Sequence, residues 1–262
     1  QRWLRSYGGF PHPNILGGWL VLGIGSVLSL GRAGLKPAPT CLISGLFAGC
    51  LVLTFSRSAW LALAALMFAM TIAVFRSNQV GARRGFFLAC ATILVVMGSV
   101  AIWRWPLVVT RGGSQTRLEE RSIDDRAQGF KNGFELCKRH PWTGTGPRTT
   151  SFALVQEGIA PSSTIPIPPH NVFLLMLDEI GVFGMLLIVG LVIWLFRRVC
   201  VRRFEACILL FSFLPILLLD HYLWSTWSGL ALIALVAINL SSHLSSHLSS
   251  LYPQADGESS VP

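Results

Sequence analysis

Apolar residues run through this chain in long blocks separated by short polar joints. A helix needs about 20 apolar residues to cross a bilayer core, and blocks of that order recur. They cover 15–31, 38–55, 58–75, 85–103, 171–196, 204–220 and 223–240, the second and sixth being the weakest in length and content. The pattern predicts an all-α fold, a polytopic transmembrane helix bundle of about seven spans. Four spans fill 1–103, a long external loop occupies 104–170, three further spans fill 171–240, and 241–262 forms a cytoplasmic tail.

The long loop has its own periodicity. Ser122 with Asp125 three residues on reads as a helix start, and Ile123, Ala127, Phe130, Phe134 and Cys137 recur at steps of three and four. An amphipathic helix over about 123–139 follows, stopped by Pro141, with its apolar face on the bundle or on the membrane surface. Gly144, Gly146 and Pro147 then turn the chain. The tail repeats SSHL before turning polar and reads as a frayed end rather than a metal tract.

Composition agrees with the blocks. Of 262 residues, 52% are hydrophobic and 13% charged, too apolar for an ordinary soluble domain, so the chain reads as an integral membrane protein. Its formal charge of +9 does not point to nucleic acid, because Arg and Lys cluster between the apolar blocks, where topology and anionic lipid account for them. Arg32 and Lys36, then Arg76, Arg83 and Arg84, then Arg197, Arg198, Arg202 and Arg203 occupy alternate joints, which places those joints in the cytoplasm. His12–Asn14, the Ser56–Ser58 turn, the long loop, His170 and Asp220–Tyr222 then share the outer face. From Arg104 to Arg148 the loop carries nine Arg and Lys against five Asp and Glu, an excess that suits an anionic partner. Six cysteines show neither CxxC nor Cys/His metal spacing, so neither a disulfide framework nor a metal site is expected. The chain starts at Gln1 with no initiator Met or signal-peptide pattern, and reads as the C-terminal portion of something longer.

Several polar residues sit where hydropathy alone does not put them. Arg57 begins a span at the outer boundary; it is either a snorkelling anchor or a guanidinium placed to grip phosphate with paired hydrogen bonds. Arg126 lies on the loop helix, as a solvated residue or as a second such cation. His140 before Pro141 reads as a helix-end residue, favourable to the dipole. His170 follows the stiff PIPP segment at the bilayer surface and is either structural or a group able to move a proton near neutrality. Asp178 and Glu179 lie about 12–14 Å deeper at 1.5 Å per residue, where acids are expensive and at least one must face the bundle interior. Asp220, His221 and Tyr222 form a second cluster, for hydrogen-bonding support or for substrate contact.

These residues sit in motifs. GGFPHPNILGGWL, TFSRSAWLALA, DDRAQGFKNGFELCKRHPWTGTG, PHNVFLLMLDEIGVFG and DHYLW resemble, in order, those of the O-antigen ligase and polymerase superfamily of bacterial envelope glycan enzymes. The resemblance covers about residues 8–240. It implies a multi-pass protein of the bacterial inner membrane with its active face external. The implied reaction is a metal- and cofactor-independent transfer of a glycan from an undecaprenyl-diphosphate-linked donor to a hydroxyl acceptor, a lipopolysaccharide core or a growing polysaccharide. Carried onto this chain, Arg57 and Arg126 would hold the diphosphate, His170 would be the base for the acceptor hydroxyl, and Asn171, Asp220 and His221 would touch substrate. Glu179 belongs to the family pattern, and both carboxylates read as supports. The family's usual ten to fourteen spans exceed the number here, and the stretch between Arg148 and His170 is short.

The intramembrane acids motivate a second reading, a lipid-linked glycan flippase or other transporter. Such proteins are built from repeats, and none is evident here.

Overall fold

In the computed structural model, residues 5–76, 80–112, 117–161, 166–200 and 204–236 are described. The tail predicted at 241–262 lies outside them. Among the described residues the regular structure is helical: α1 Pro13–Arg32, α2 Pro37–Thr54, α3 Arg57–Arg76, α4 Val80–Trp103, α5 Trp105–Gly112, α6 Arg117–Arg139, α7 Thr150–Gln156, α8 Val172–Cys200, α9 Phe204–Ser212, α10 Leu214–Leu219 and α11 Tyr222–Ser225. A further apolar helix, α12, covers Trp227–Val236.

Helices α1 to α4, and α8 over Val172–Trp194, are long and apolar enough to cross a membrane. The sixth predicted span is instead two shorter helices, α9 and α10, divided at Phe213 with a proline in the first turn of α10. Proline has no N–H to continue the ladder and tends to break a helix at that point.

Helix α1 is central, packing on α2, α3 and α4, while α3 also meets α9 and α10. Ile24, Leu51, Ala62, Leu66, Ile93, Ile216 and Leu232 fill the seam. Leu42, Leu46, Phe68 and Val95 point outward, as lipid-facing residues do. Hydrocarbon solvates leucine as well as another helix does, so close packing rather than burial must hold such a bundle. Gly45 and Gly49 provide it: a Cβ at either would lie 3.0 Å from Thr92 or 3.2 Å from Val96 of α4.

Two differences from the sequence pattern concern the loop. Helix α6 already runs from Arg117, so Ser122 lies inside it rather than at its start. Its outward stripe of Ile123 (45% exposed), Phe130 (53%) and Phe134 (53%) does not pack on the bundle. The inward face is Gly129, Asn132, Gly133 and Leu136, because small residues let the segment before His170 come close. A Cβ on Gly129 would lie 3.3 Å from the Pro168 carbonyl oxygen, and one on Gly133 3.0 Å from the Pro169 ring.

Candidate functional site

The ends of α1, α3 and α10 meet at Asp220. This residue caps α10 in an extended conformation with its side chain buried. One carboxylate oxygen accepts from Asn14 Nδ2 at 2.8 Å, and the other accepts from the Ser58 hydroxyl. Asn14 Oδ1 in turn accepts from Arg5 Nη2 at 2.7 Å, and Arg5 Nε donates to the Thr54 carbonyl oxygen at 2.7 Å. One run of hydrogen bonds thus ties the last carbonyls of α2 to the starts of α1 and α3 and the end of α10. A buried carboxylate survives in such a place only when its lone pairs are met, and here they are.

His170 faces this carboxylate. Its Nδ1 lies 3.9 Å from Asp220 Oδ1, a separation at which charge acts but no hydrogen bond forms. Nδ1 is buried without a hydrogen-bond partner, while 26% of the side chain is accessible. The ring meets His221 edge-on at 4.9 Å between centroids. His221 sits in the break between α10 and α11, its Nδ1 2.6 Å from Ser225 Oγ. Burial, and then the neighbouring His170, push the His221 imidazole down to about 4. It is therefore neutral near pH 7.

One cation comes within reach of this carboxylate. Arg126 on α6 comes within electrostatic reach of Asp220, although the two are far apart in sequence. Arg57 is the half-buried first residue of α3, between the two serines of the turn. That turn is sharp because Phe55 ends α2 in the left-handed region at φ 50°. Asn171 has a different place from the other polar candidates. Its Oδ1 accepts from the Leu174 N–H at 2.9 Å, capping α8, and its Nδ2 donates to the Leu218 carbonyl oxygen at 3.3 Å.

The two acids of α8 differ. Glu179 accepts from Trp224 Nε1 at 2.8 Å and from the Thr150 hydroxyl at 3.3 Å. Asp178 is buried with neither oxygen hydrogen-bonded, against the Gly133 side of α6. Neither acid lies in an unbroken spanning helix, because α8 breaks at Gly181 (φ 63°, ψ −172°). The HPWTGTG turn occupies the break. Val182 and Phe183 donate N–H bonds to the carbonyls of Pro141 and Trp142, and Thr145 and Gly146 donate to those of Asp178 and Glu179, all between 2.8 and 3.1 Å. A helix that breaks inside an apolar block must satisfy its freed backbone groups with protein, and this clasp does so. The turn reverses at Gly144 (φ 67°), which passes so near that a Cβ would lie 2.4 Å from the Glu179 carbonyl carbon.

His140 at the end of α6 is bound by its Nε2 to Glu157 Oε1 at 3.1 Å. Arg139 donates to the Glu157 carbonyl oxygen at 2.7 Å, so α7 is strapped to the end of α6. Arg148, in the left-handed region at φ 64°, donates to the Ser225 carbonyl oxygen at 2.9 Å.

His170, Asp220, His221 and Arg126 thus converge, Arg57 is the chain neighbour of the Ser58 that bonds Asp220, and Asn171 is occupied by capping. Periodicity did not mark Arg5, Asn14 or Ser58. The last two stood within quoted motifs, PHPN and SRSAW, where a small polar residue at a helix start could have signalled them. Arg5 carried no local signal, since its partners are 9 to 50 residues away.

Long apolar helices joined at one end by a buried polar cluster define an all-α, multi-pass membrane protein, with that cluster as its candidate site. The family model described as O-antigen ligase matches residues 42–189, more than half of the chain, and the chain belongs to that family. Membership makes it a membrane glycosyltransferase of the O-antigen ligase or polymerase type, acting in lipopolysaccharide or polysaccharide biosynthesis, where such enzymes handle lipid-linked glycans. The match includes Arg57, Arg126, the clasp and His170, whereas Asn14, Asp220 and His221 fall outside it. No curated protein and no solved structure gives a significant match.

Proposed function

We propose that this protein transfers a glycan from an undecaprenyl-diphosphate-linked donor to a hydroxyl of a lipopolysaccharide core or a growing polysaccharide, at the outer face of the bacterial inner membrane. The observation that carries the reading is the buried Asp220 facing His170, with Arg126 in electrostatic reach of the carboxylate and Arg57 next in the chain to Ser58, whose hydroxyl donates to it. A carboxylate facing Nδ1 favours the tautomer with its proton there, which leaves Nε2 with the lone pair a base needs. The 3.9 Å gap closes to a hydrogen bond when the acceptor is bound, as catalytic contacts often do.

The acceptor oxygen bonds to the anomeric carbon as His170 takes its proton. The bond from that carbon to the diphosphate oxygen breaks, and undecaprenyl diphosphate leaves with the electron pair. Arg57 and Arg126 stabilise the charge that grows on it, a role that permanently protonated, fork-shaped groups suit. Asp220 and His221 flank the base, and Asn171 fixes the start of the helix that carries it.

The test is steady-state transfer by purified full-length protein, with lipid-linked donor and a defined acceptor. His170→Ala is expected to lower kcat by about 10²–10⁴, the usual scale for a general base. Arg57→Ala and Arg126→Ala are expected to raise the KM for donor as well as lower kcat. Full activity in His170→Ala and Arg57→Ala would overturn the assignment.

A further inference from the structure

The two donors that meet Asp220 are not equivalent. The Ser58 hydroxyl donates to Oδ2, whereas Asn14 Nδ2 reaches Oδ1 at 2.8 Å, and Oδ1 is the oxygen that faces His170 Nδ1 at 3.9 Å. Asn14 therefore holds the atom that the histidine meets. It is well placed to do so: it is 7% exposed, stands second in α1, and has its own N–H taken by His12 Nδ1 at 3.1 Å.

An asparagine amide fits a given space either way round, because its oxygen and its nitrogen are nearly the same size. Only one way suits a carboxylate: the nitrogen donates to it, while the oxygen would repel it. The choice is made on the far side of Asn14. Arg5 Nη2 lies 2.7 Å from Asn14 Oδ1, and a guanidinium has donors but no acceptor. The amide oxygen must then face Arg5, which turns the nitrogen toward Asp220.

Arg5 is itself fixed. Its Nε donates to the Thr54 carbonyl oxygen at 2.7 Å, its Nη2 also lies 3.4 Å from that of Phe55, and the next N–H, of Ser6, donates to that of Leu53 at 3.0 Å. These are the carbonyls that the end of a helix leaves without intrahelical partners. Capping α2 accounts for those contacts. It does not account for the bond to Asn14, which leads away from α2 to the buried acid. Donors of one sense thus run from Arg5 through Asn14 to the oxygen facing His170, and both residues precede the family match at 42–189.

We propose that Arg5 and Asn14 are positioning residues for glycosyl transfer, Arg5 setting the polarity of the Asn14 amide and Asn14 holding the Asp220 oxygen that faces His170. The inference rests on the reading of His170 as the base, with Asp220 as its partner. The test is a double-mutant cycle in steady-state transfer, with kcat taken on the monodisperse fraction of purified full-length protein. Arg5→Gln exchanges a group that only donates for an amide that can offer either end. It is expected to lower kcat by about 10–100-fold, the scale of a misplacement near 1 Å, with KM for donor within about twofold of wild type. Asn14→Asp supplies a second variant, which keeps an acceptor for Arg5 but presents an oxygen to Asp220; the same loss in kcat is expected. In an Asp220→Asn background, itself slow, each substitution is expected to change kcat by no more than about twofold, because the group it acts through is gone. Wild-type kcat in both folded variants, even with thermal stability lost, would overturn the proposal and leave Arg5 as a cap of α2. Equal fold-losses in the two backgrounds would also overturn it while leaving the reading of His170 and Asp220 intact. Full activity of Asp220→Asn alone would overturn that reading and the proposal with it.

Discussion

Gly181→Ala tests whether the clasp between the HPWTGTG turn and α8 holds the outer half of that helix. Gly181 occupies φ 63°, ψ −172°, a region that costs other residues about 1–3 kcal/mol. An added Cβ would also sit 2.4 Å from the carbonyl carbon and oxygen of Trp142. These are backbone atoms that cannot rotate away, so the turn must retreat. Retreat breaks the Val182 and Phe183 bonds to Pro141 and Trp142, each worth about 0.5–1.5 kcal/mol net. Against this, alanine reduces unfolded-state entropy by about 0.4–1 kcal/mol. The balance is a loss of about 2–4 kcal/mol. The matched control is Gly190→Ala in the same helix, which has nothing within 4 Å of its Cβ position. There alanine is expected to be neutral or to stabilise by up to about 1 kcal/mol. Thermal unfolding in detergent measures both, and hydrogen exchange at 141–146 reports the clasp itself. A Gly181→Ala protein as stable as wild type, with unchanged exchange in that turn, would refute the reasoning.

Four further outcomes follow. Glu179→Ala leaves Trp224 Nε1 and the Thr150 hydroxyl without their acceptor and is expected to cost about 1–3 kcal/mol in thermal unfolding. Asp178→Asn removes no hydrogen bond to the side chain and replaces a buried ionisable group with a neutral one of the same size, so it is expected to be neutral or stabilising in thermal unfolding. The Glu157 carboxyl is held below its usual range, first by its hydrogen bond from His140. That strap is fully present above the unfolded pKa of about 4.3 and is lost as pH falls through the lower folded value. Hydrogen exchange in α7 should accelerate as the pH is lowered through this window, and Glu157→Gln should remove that pH dependence. Asp220→Asn keeps the size of the side chain but loses the charge facing His170; kcat should fall and the acid limb of its pH profile should move, with KM for donor little changed. An unmoved pH profile would separate Asp220 from His170.

The spans were legible because each is a continuous apolar block, and α1 to α4 fall within a few residues of the predicted limits. What was not legible depends on contacts distant in sequence. The break at Gly181 is invisible to hydropathy, since its freed backbone groups are met by residues 141–146, some forty positions earlier. The bundle-facing side of α6 was not legible because periodicity ranks residues by apolarity, and a face of Gly129, Asn132 and Gly133 scores poorly. It packs because it is small, while Phe130 and Phe134 turn outward. Asp220 and His170 could be placed at one end of the bundle from charge alternation alone, but their facing arrangement could not be read that way. It arises from the stiff PIPP approach and from Asn171, which caps α8 and reaches the last turn of α10.

The measurement that bears most directly on glycosyl transfer is the fate of labelled donor in proteoliposomes, with and without a hydroxyl acceptor. The account predicts that label joins the acceptor as undecaprenyl diphosphate is released, only when acceptor is present, and at least 100-fold more slowly in His170→Ala. Movement of intact lipid-linked glycan across the bilayer without acceptor, unchanged in His170→Ala, would contradict it and point to a transporter.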